Sequence, residues 1–239
     1  VAKLECFQNA GRIIDGHAPC VTGKELQGYI SAGIDTDHES ISWAEAKEKL
    51  RSGLAVLVRE GSASRNLTAI IKWALAEKAA TSRMAFCTDD KHLADIHKEG
   101  TIRKCIQLCL NLGMKFEKAV AMATINAARI YGLKHLGAIA PGYQADLVVM
   151  NDNTELVPEL VLHKGQDAIK AANKVINLKP SAELKGSVNI SNNINETSFN
   201  ADYFKAGETY GVIEMLPGEI ITEHGEVKGE DVPKLLASG

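Results

Sequence analysis

Leu54-Ala55-Val56-Leu57-Val58-Arg59-Glu60-Gly61-Ser62 is an apolar run that stops abruptly in a polar cluster. The same theme recurs on either side of it. Arg12-Ile13-Ile14 ends in Asp15-Gly16-His17, and Ala32-Gly33-Ile34 ends in Asp35-Thr36-Asp37-His38-Glu39. Met84-Ala85-Phe86-Cys87 ends in Thr88-Asp89-Asp90. Helix-like stretches follow the first three runs, over Lys24 to Ser31, Ser42 to Arg51 and Leu67 to Glu77. Ser42 and Glu45 fit the Ser-x-x-Glu capping box that opens many helices. Short apolar strands alternating with helices predict βα units on a parallel sheet. Four such units make half of a (β/α)8 barrel, with an open doubly wound sheet as the alternative.

Two further helices follow. Ile102, Cys105, Ile106, Cys109 and Leu112 form an apolar stripe at helical spacing, and Gly113 is a natural stop. The next helix spans about Phe116 to Tyr131. The character changes at Gly137-Ala138-Ile139-Ala140-Pro141-Gly142-Tyr143, which is turn-rich. Ala145 to Met150 then reads as a strand, as do Glu159 to Leu162, Gly211 to Met215 and Glu219 to Thr222, while Asn189 to Asn195 reads as a loop. The expected organisation is a barrel-like part over 1–136 and a β-rich part over 137–239.

The 239 residues are 45% hydrophobic and 24% charged, ordinary for a globular chain. A net charge of −3 with both signs mixed gives no footprint for nucleic acid or an anionic membrane. No apolar run approaches the ~20 residues that span a bilayer. The five cysteines are odd in number and form no CxxC pair, which points to reduced thiols and the cytoplasm. Cys105 and Cys109 read as small apolar residues on the buried side of a helix. The chain starts at Val1 without Met, which reads as a fragment or a processed product.

All four polar clusters fall where a strand ends. In a (β/α)8 barrel those ends converge on one face, which carries the active site. Two imidazoles and a carboxylate brought together there suit a catalytic metal that activates water. His17, His38 and Asp89 recur at the same point of successive units and are the candidate ligands. Each also has a plainer reading taken alone. A histidine at a strand end is often a hydrogen-bonded structural residue, Asp89-Asp90 can cap a helix, and Glu60-Gly61-Ser62 can be a turn. His92 lies close enough to the rim to touch a substrate. His97 reads as a solvated helix position, and His135, His163 and His224 read as surface residues.

These motifs carry a resemblance. Asp15-Gly16-His17-Ala18-Pro19, followed by Thr22-Gly23-Lys24-Glu25-Leu26, resembles the segment after the fifth barrel strand in the adenine deaminases of the amidohydrolase superfamily. Thr36-Asp37-His38-Glu39, Val58-Arg59-Glu60-Gly61-Ser62-Ala63 and Cys87-Thr88-Asp89-Asp90 resemble the same family's motifs after strands six, seven and eight. Gly137 to Val149 is similar to the return from barrel to β-sandwich, and Gly218 to Thr222 to the strand and turn beyond it. The resemblance covers about Arg12 to Glu226.

The resemblance implies the second half of a metal-dependent (β/α)8 amidohydrolase barrel followed by part of a small β-sandwich domain. It implies that His17 and His38 bind one metal and that Asp89, rather than Asp90, is a ligand that also handles protons. It places Glu60 and Ser62 near the substrate, Glu60 with a catalytic part. It implies a divalent metal, manganese or iron with zinc as the alternative, as a pair in the complete enzyme. The expected partner is a small purine and further copies of the chain, with no nucleic acid and no membrane. The expected reaction is hydrolysis of adenine to hypoxanthine and ammonia. The family's His-x-His of strand one and its bridging glutamate are not among these residues, so the fragment alone is expected to be inactive. Thr101 stands where the family pattern leads one to expect histidine. The competing readings are an amidohydrolase acting on a cyclic amide or another aminopurine, and a non-catalytic fragment.

Overall fold

The computed structural model describes residues 2–171, 203–219 and 221–237. After the helix α1 (Ala2–Asn9) the chain alternates strand and helix: β1 (Asp15–Gly16), α2 (Gly23–Ser31), β2 (Thr36–Asp37), α3 (Trp43–Arg51), β3 (Ala55–Arg59), α4 (Leu67–Ala76) and β4 (Met84–Cys87). The four strands form one sheet in sequence order, and every neighbouring pair is parallel. The α/β parallel sheet is therefore as the sequence predicts.

Its core follows from the strand period of two. Val56 and Val58 of β3 and Met84 and Phe86 of β4 pack against Ile70 and Ile71 of α4. The helices α5 (Leu93–Glu99), α6 (Ile102–Asn111), α7 (Phe116–Ala123) and α8 (Ile125–Ile130) follow. Cys105 and Cys109 of α6 are fully buried in the same core. Burial pushes both thiols up to about 12, so they pack as small apolar groups.

Several local expectations are corrected. Ala32-Gly33-Ile34 is not a strand: Ala32 ends α2, its N–H donating to Gly28 O, and Gly33 turns the chain at φ 87. This is a helix C-terminus, where glycine accepts the left-handed backbone that other residues resist. The ladder begins later, on buried Thr36 and Asp37. Likewise Arg12 to Ile14 precedes β1, so the polar residues themselves form the first two strands. The helix expected over Phe116 to Tyr131 is broken at Thr124, which has φ −134 and ψ −95 and donates its hydroxyl to Val120 O at 2.7 Å. Half of the capping box forms: Ser42 Oγ accepts the Glu45 N–H, but the Glu45 carboxylate turns to other backbone groups.

Helix gives way to strand after α8. β5 (Leu147–Met150), β6 (Pro158–His163) and β7 (Gln166–Asp167) make an antiparallel sheet, followed by α9 (Ala168–Ala171). β8 (Thr209–Met215) and β9 (Thr222–Lys228) pair antiparallel before α10 (Val232–Ala237). The strand expected over Glu219 to Thr222 lies further on, in β9, and Gly218 forms an isolated bridge to Ser64 instead. Ile220 and the loop expected over Asn189 to Asn195 lie outside the described residues. The chain divides into two compact units, Val1–Ala171 with Leu216–Ile221, and Ala172–Met215 with Thr222–Gly239.

Candidate metal centre

His17 directly follows β1, and His38 and Glu39 directly follow β2. Because Asp15 pairs with Thr36 and Gly16 with Asp37, parallel neighbours deliver these side chains to the same end of the sheet. Gly16 has no side chain for a steric reason. A Cβ there would lie 2.2 Å from the Tyr29 hydroxyl, which accepts the His17 N–H at 2.8 Å.

The two imidazoles meet edge to face with ring centroids 5.6 Å apart. His17 Nδ1 and His38 Nε2 both lie 3.4 Å from one oxygen of Glu39, Oε1. One ligand atom from each of the three residues falls within 4.8 Å of the others, and this is the group of metal-binding geometry found among the described residues. The Glu39 carboxylate is fully buried, and its second oxygen has no hydrogen-bond partner. Burial, foremost, raises its pKa, opposed by Arg59 and the two histidines.

Asp15 sets the state of His38. Burial would raise the Asp15 pKa, but bonds from His38 Nδ1, at 3.0 Å, and from the Thr36 hydroxyl hold it below the usual carboxylate range. An ionised Asp15 only accepts, so Nδ1 carries the proton and Nε2 presents a lone pair. In the neutral imidazole that lone pair faces the Glu39 oxygen, and either a proton on Nε2 or a metal ion can lie between the two. A metal-ligating histidine typically gives its other N–H to a carboxylate in this way. The donor set of two imidazoles and a carboxylate thus fits a divalent transition metal.

Residues 29–190 match the model of the Amidohydrolase family. The chain belongs to the amidohydrolase family. It is 42% identical over 228 residues to an adenine deaminase of Desulfitobacterium hafniense (strain Y51), covering 94% of this chain and 38% of that one. It is 39% identical over 227 residues to adenine deaminase 1 of Rhizobium meliloti (strain 1021), again covering 94% and 38%. The chain therefore spans 38% of the length of these curated relatives. In fold it is similar to the crystal structure of N-acetyl-D-glucosamine-6-phosphate deacetylase from Mycobacterium smegmatis, with a TM-score of 0.55 at 21% identity, over 70% of this chain and 51% of that one. The crystal structure of enamidase aligns with a TM-score of 0.50 at 18% identity, over 70% and 50%.

Not every residue singled out in this amidohydrolase sequence joins the three donors. Asp89 reaches the group through Arg59, whose Nη1 bonds both the Glu39 carboxylate and Asp89 Oδ2, the latter at 2.7 Å. Asp89 sits at φ 43, a left-handed backbone that Asp tolerates better than most residues. Glu60 is buried among Arg65, Lys91, Glu99 and Lys104, with Arg65 Nη1 3.9 Å away, and burial raises its pKa. Ser62 donates to Asp95 Oδ2 at 2.5 Å and accepts the His92 N–H at 2.8 Å. The exposed His92 occupies the N-cap position of α5, so Asp90 does not cap that helix; it accepts the Ala63 N–H at 3.3 Å instead. Sequence reasoning missed Glu39 as a donor, Asp15 as its neighbour's orienter, and Arg59. The signal for Glu39 and Asp15 was present, since each adjoins a strand-end histidine or lies two residues from one.

The Asp15–His38 pair sets a pH window. The hydrogen bond to Asp15, foremost, raises the His38 pKa above its ordinary 6.5, so this stabilisation is full below that pH and is lost as pH rises through the folded-state value. The Asp15 pKa lies below its ordinary 3.8, so its contribution is present above that pH and is lost as pH falls through the folded-state value. The metal-free protein is expected to melt up to about 4 °C above its Asp15→Asn variant, since partly exposed pairs contribute about 0.2–1 kcal/mol. The difference should be largest between pH 3.8 and 6.5. A difference in melting temperature that stays constant well above neutral pH would refute the ion pair as its source.

Proposed function

We propose that this chain carries part of the active site of an adenine deaminase, which hydrolyses adenine to hypoxanthine and ammonia. The observation that carries this reading is the 42% identity, over 94% of the chain, to a protein of that name. The convergence of His17, His38 and Glu39 supports it chemically. These three residues would hold the divalent metal, manganese or iron with zinc as the alternative, one of a pair in the complete enzyme. A metal bound there supplies Lewis acidity that makes water nucleophilic near neutral pH.

The chain's own groups handle protons and position. Attack of water on the ring carbon that bears the amine releases one proton, and the departing amine must gain one. Asp89, half-exposed and aimed by Arg59, can take the first and return it. Glu60, Ser62 and His92 are assigned to the substrate side, supported by the Ser62–His92 link and by the unpartnered, buried Oε2 of Glu60.

The parallel sheet is read as the second half of a (β/α)8 barrel over 1–136. Its strands run in sequence order, and its outer strands β1 and β4 each pair on one side among the described residues. The antiparallel strands that follow are read as part of a small β-sandwich domain over 137–239. Five free cysteines support a reducing, cytoplasmic setting.

The test is ammonia release by the full-length protein from adenine, other aminopurines and cyclic amides. Adenine is expected to give the highest kcat/KM. Turnover of a cyclic amide with none of adenine would overturn the reading.

A further inference from the structure

Lys49 of α3 is completely buried. A lysine is almost never buried unless it is paired, because an ammonium loses its hydration there. Its Nζ donates to Glu45 Oε1 at 2.6 Å, Ala18 O at 2.7 Å and Asp37 Oδ2 at 2.8 Å, with Ser40 Oγ further off at 3.3 Å. The three short contacts match the three hydrogens of an ammonium.

What these partners hold matters more than the pairing itself. Ala18 directly follows His17, and Asp37 directly precedes His38. Ala18 is fixed by both of its backbone polar groups, its carbonyl by Lys49 and its N–H by Asp37 Oδ1 at 2.9 Å. The other oxygen of Asp37 accepts the Glu39 N–H at 3.2 Å and the Ser40 hydroxyl at 2.9 Å. Glu45 accepts the Cys20 N–H at 2.9 Å and the Ile41 N–H at 3.0 Å, so it grips the far ends of the same two loops. Two buried carboxylates thus gather five backbone and side-chain donors from the loops after β1 and β2, and one ammonium joins the carboxylates.

We propose that Lys49, with Asp37 and Glu45, is the positioning unit of the metal centre: it locks the two loops in the register that brings His17, His38 and Glu39 to one ion. The inference rests on the metal-binding reading above. A buried ion cluster can also serve folding alone, and apolar replacement of such clusters is often tolerated. The two roles differ in what a folded variant loses.

The experiment uses the full chain and two variants. Lys49→Met removes the hub, and Glu45→Gln, which leaves Lys49 paired with Asp37, serves if the first does not fold. Zn²⁺ affinity is read by competition with a chromophoric chelator. Amide exchange at Ala18, Cys20, Glu39 and Ile41 in the metal-free chain is read against Val56 and Val58 of the core. A folded variant is expected to bind Zn²⁺ ~10–100-fold more weakly. Its loop amides are expected to exchange at least ~10-fold faster while the core amides hold. Wild-type affinity in a folded variant, or faster exchange spread evenly over loops and core, overturns the proposal. If the unaltered chain binds no Zn²⁺, the metal-centre reading falls, and the exchange measurement alone decides whether Lys49 holds the loops.

Discussion

Asp89→Asn in the full-length protein is expected to lower kcat for adenine hydrolysis at least ~100-fold, the range for loss of a proton-transfer group. Asparagine keeps the size and one oxygen of the side chain but cannot take a proton from water and pass it to the departing amine. The structure adds a reason for choosing Asp89 over its neighbour. Arg59 holds the Asp89 carboxylate beside Glu39, and the side chain is still 44% exposed, open to a substrate. Asp90 instead spends its carboxylate on the Ala63 N–H, so Asp90→Asn should cost much less. Kinetics of both variants at matched metal occupancy decide between them. A dead Asp90→Asn beside an active Asp89→Asn would reverse the assignment.

Removing a metal donor is expected to have a comparable effect on binding. His17→Ala, His38→Ala and Glu39→Gln should each weaken Mn²⁺ or Zn²⁺ binding by at least ~100-fold, more than the loss of an outer partner costs. His17→Ala is the cleanest of the three, because that side chain is 66% exposed and its removal leaves no cavity in the core. Equilibrium dialysis with elemental analysis gives the affinities. Glu39→Gln carries the sharper message. Wild-type affinity there, together with metal loss in Asp89→Asn, would make Glu39 a structural partner of Arg59 and Asp89 the ligand.

Part of the site is legible in the amino-acid sequence. His17 and His38 stand out because an imidazole at the end of an apolar run is an uncommon place for a purely solvated residue, and it occurs twice at the same point of the repeat. The same repeat also picks out Asp89 as their carboxylate partner. Glu39, which adjoins His38, is passed over there. Arg59 links the two by bonding both carboxylates at once, and its place depends on β3 lying between β2 and β4. Lys49 looks in sequence like an ordinary solvated lysine of an amphipathic helix. Its burial is set by Asp37 and Ala18, which come from other elements.

The amino-acid sequence by itself determined the α/β parallel architecture and the helix stop at Gly113, because apolar periodicity and glycine backbone freedom are local properties of the chain. It also determined where the histidines sit along it. Only the tertiary structure decided that β1 and β2 are two-residue strands without an apolar side chain, since their strand character comes from pairing toward β3 and not from their own composition. It alone shows that the Glu39 carboxylate lies against both imidazoles and that a buried ammonium bonds the loops that carry them. Those contacts depend on charges from separate elements meeting out of water, where each unpaired group is costly and the set must be satisfied together.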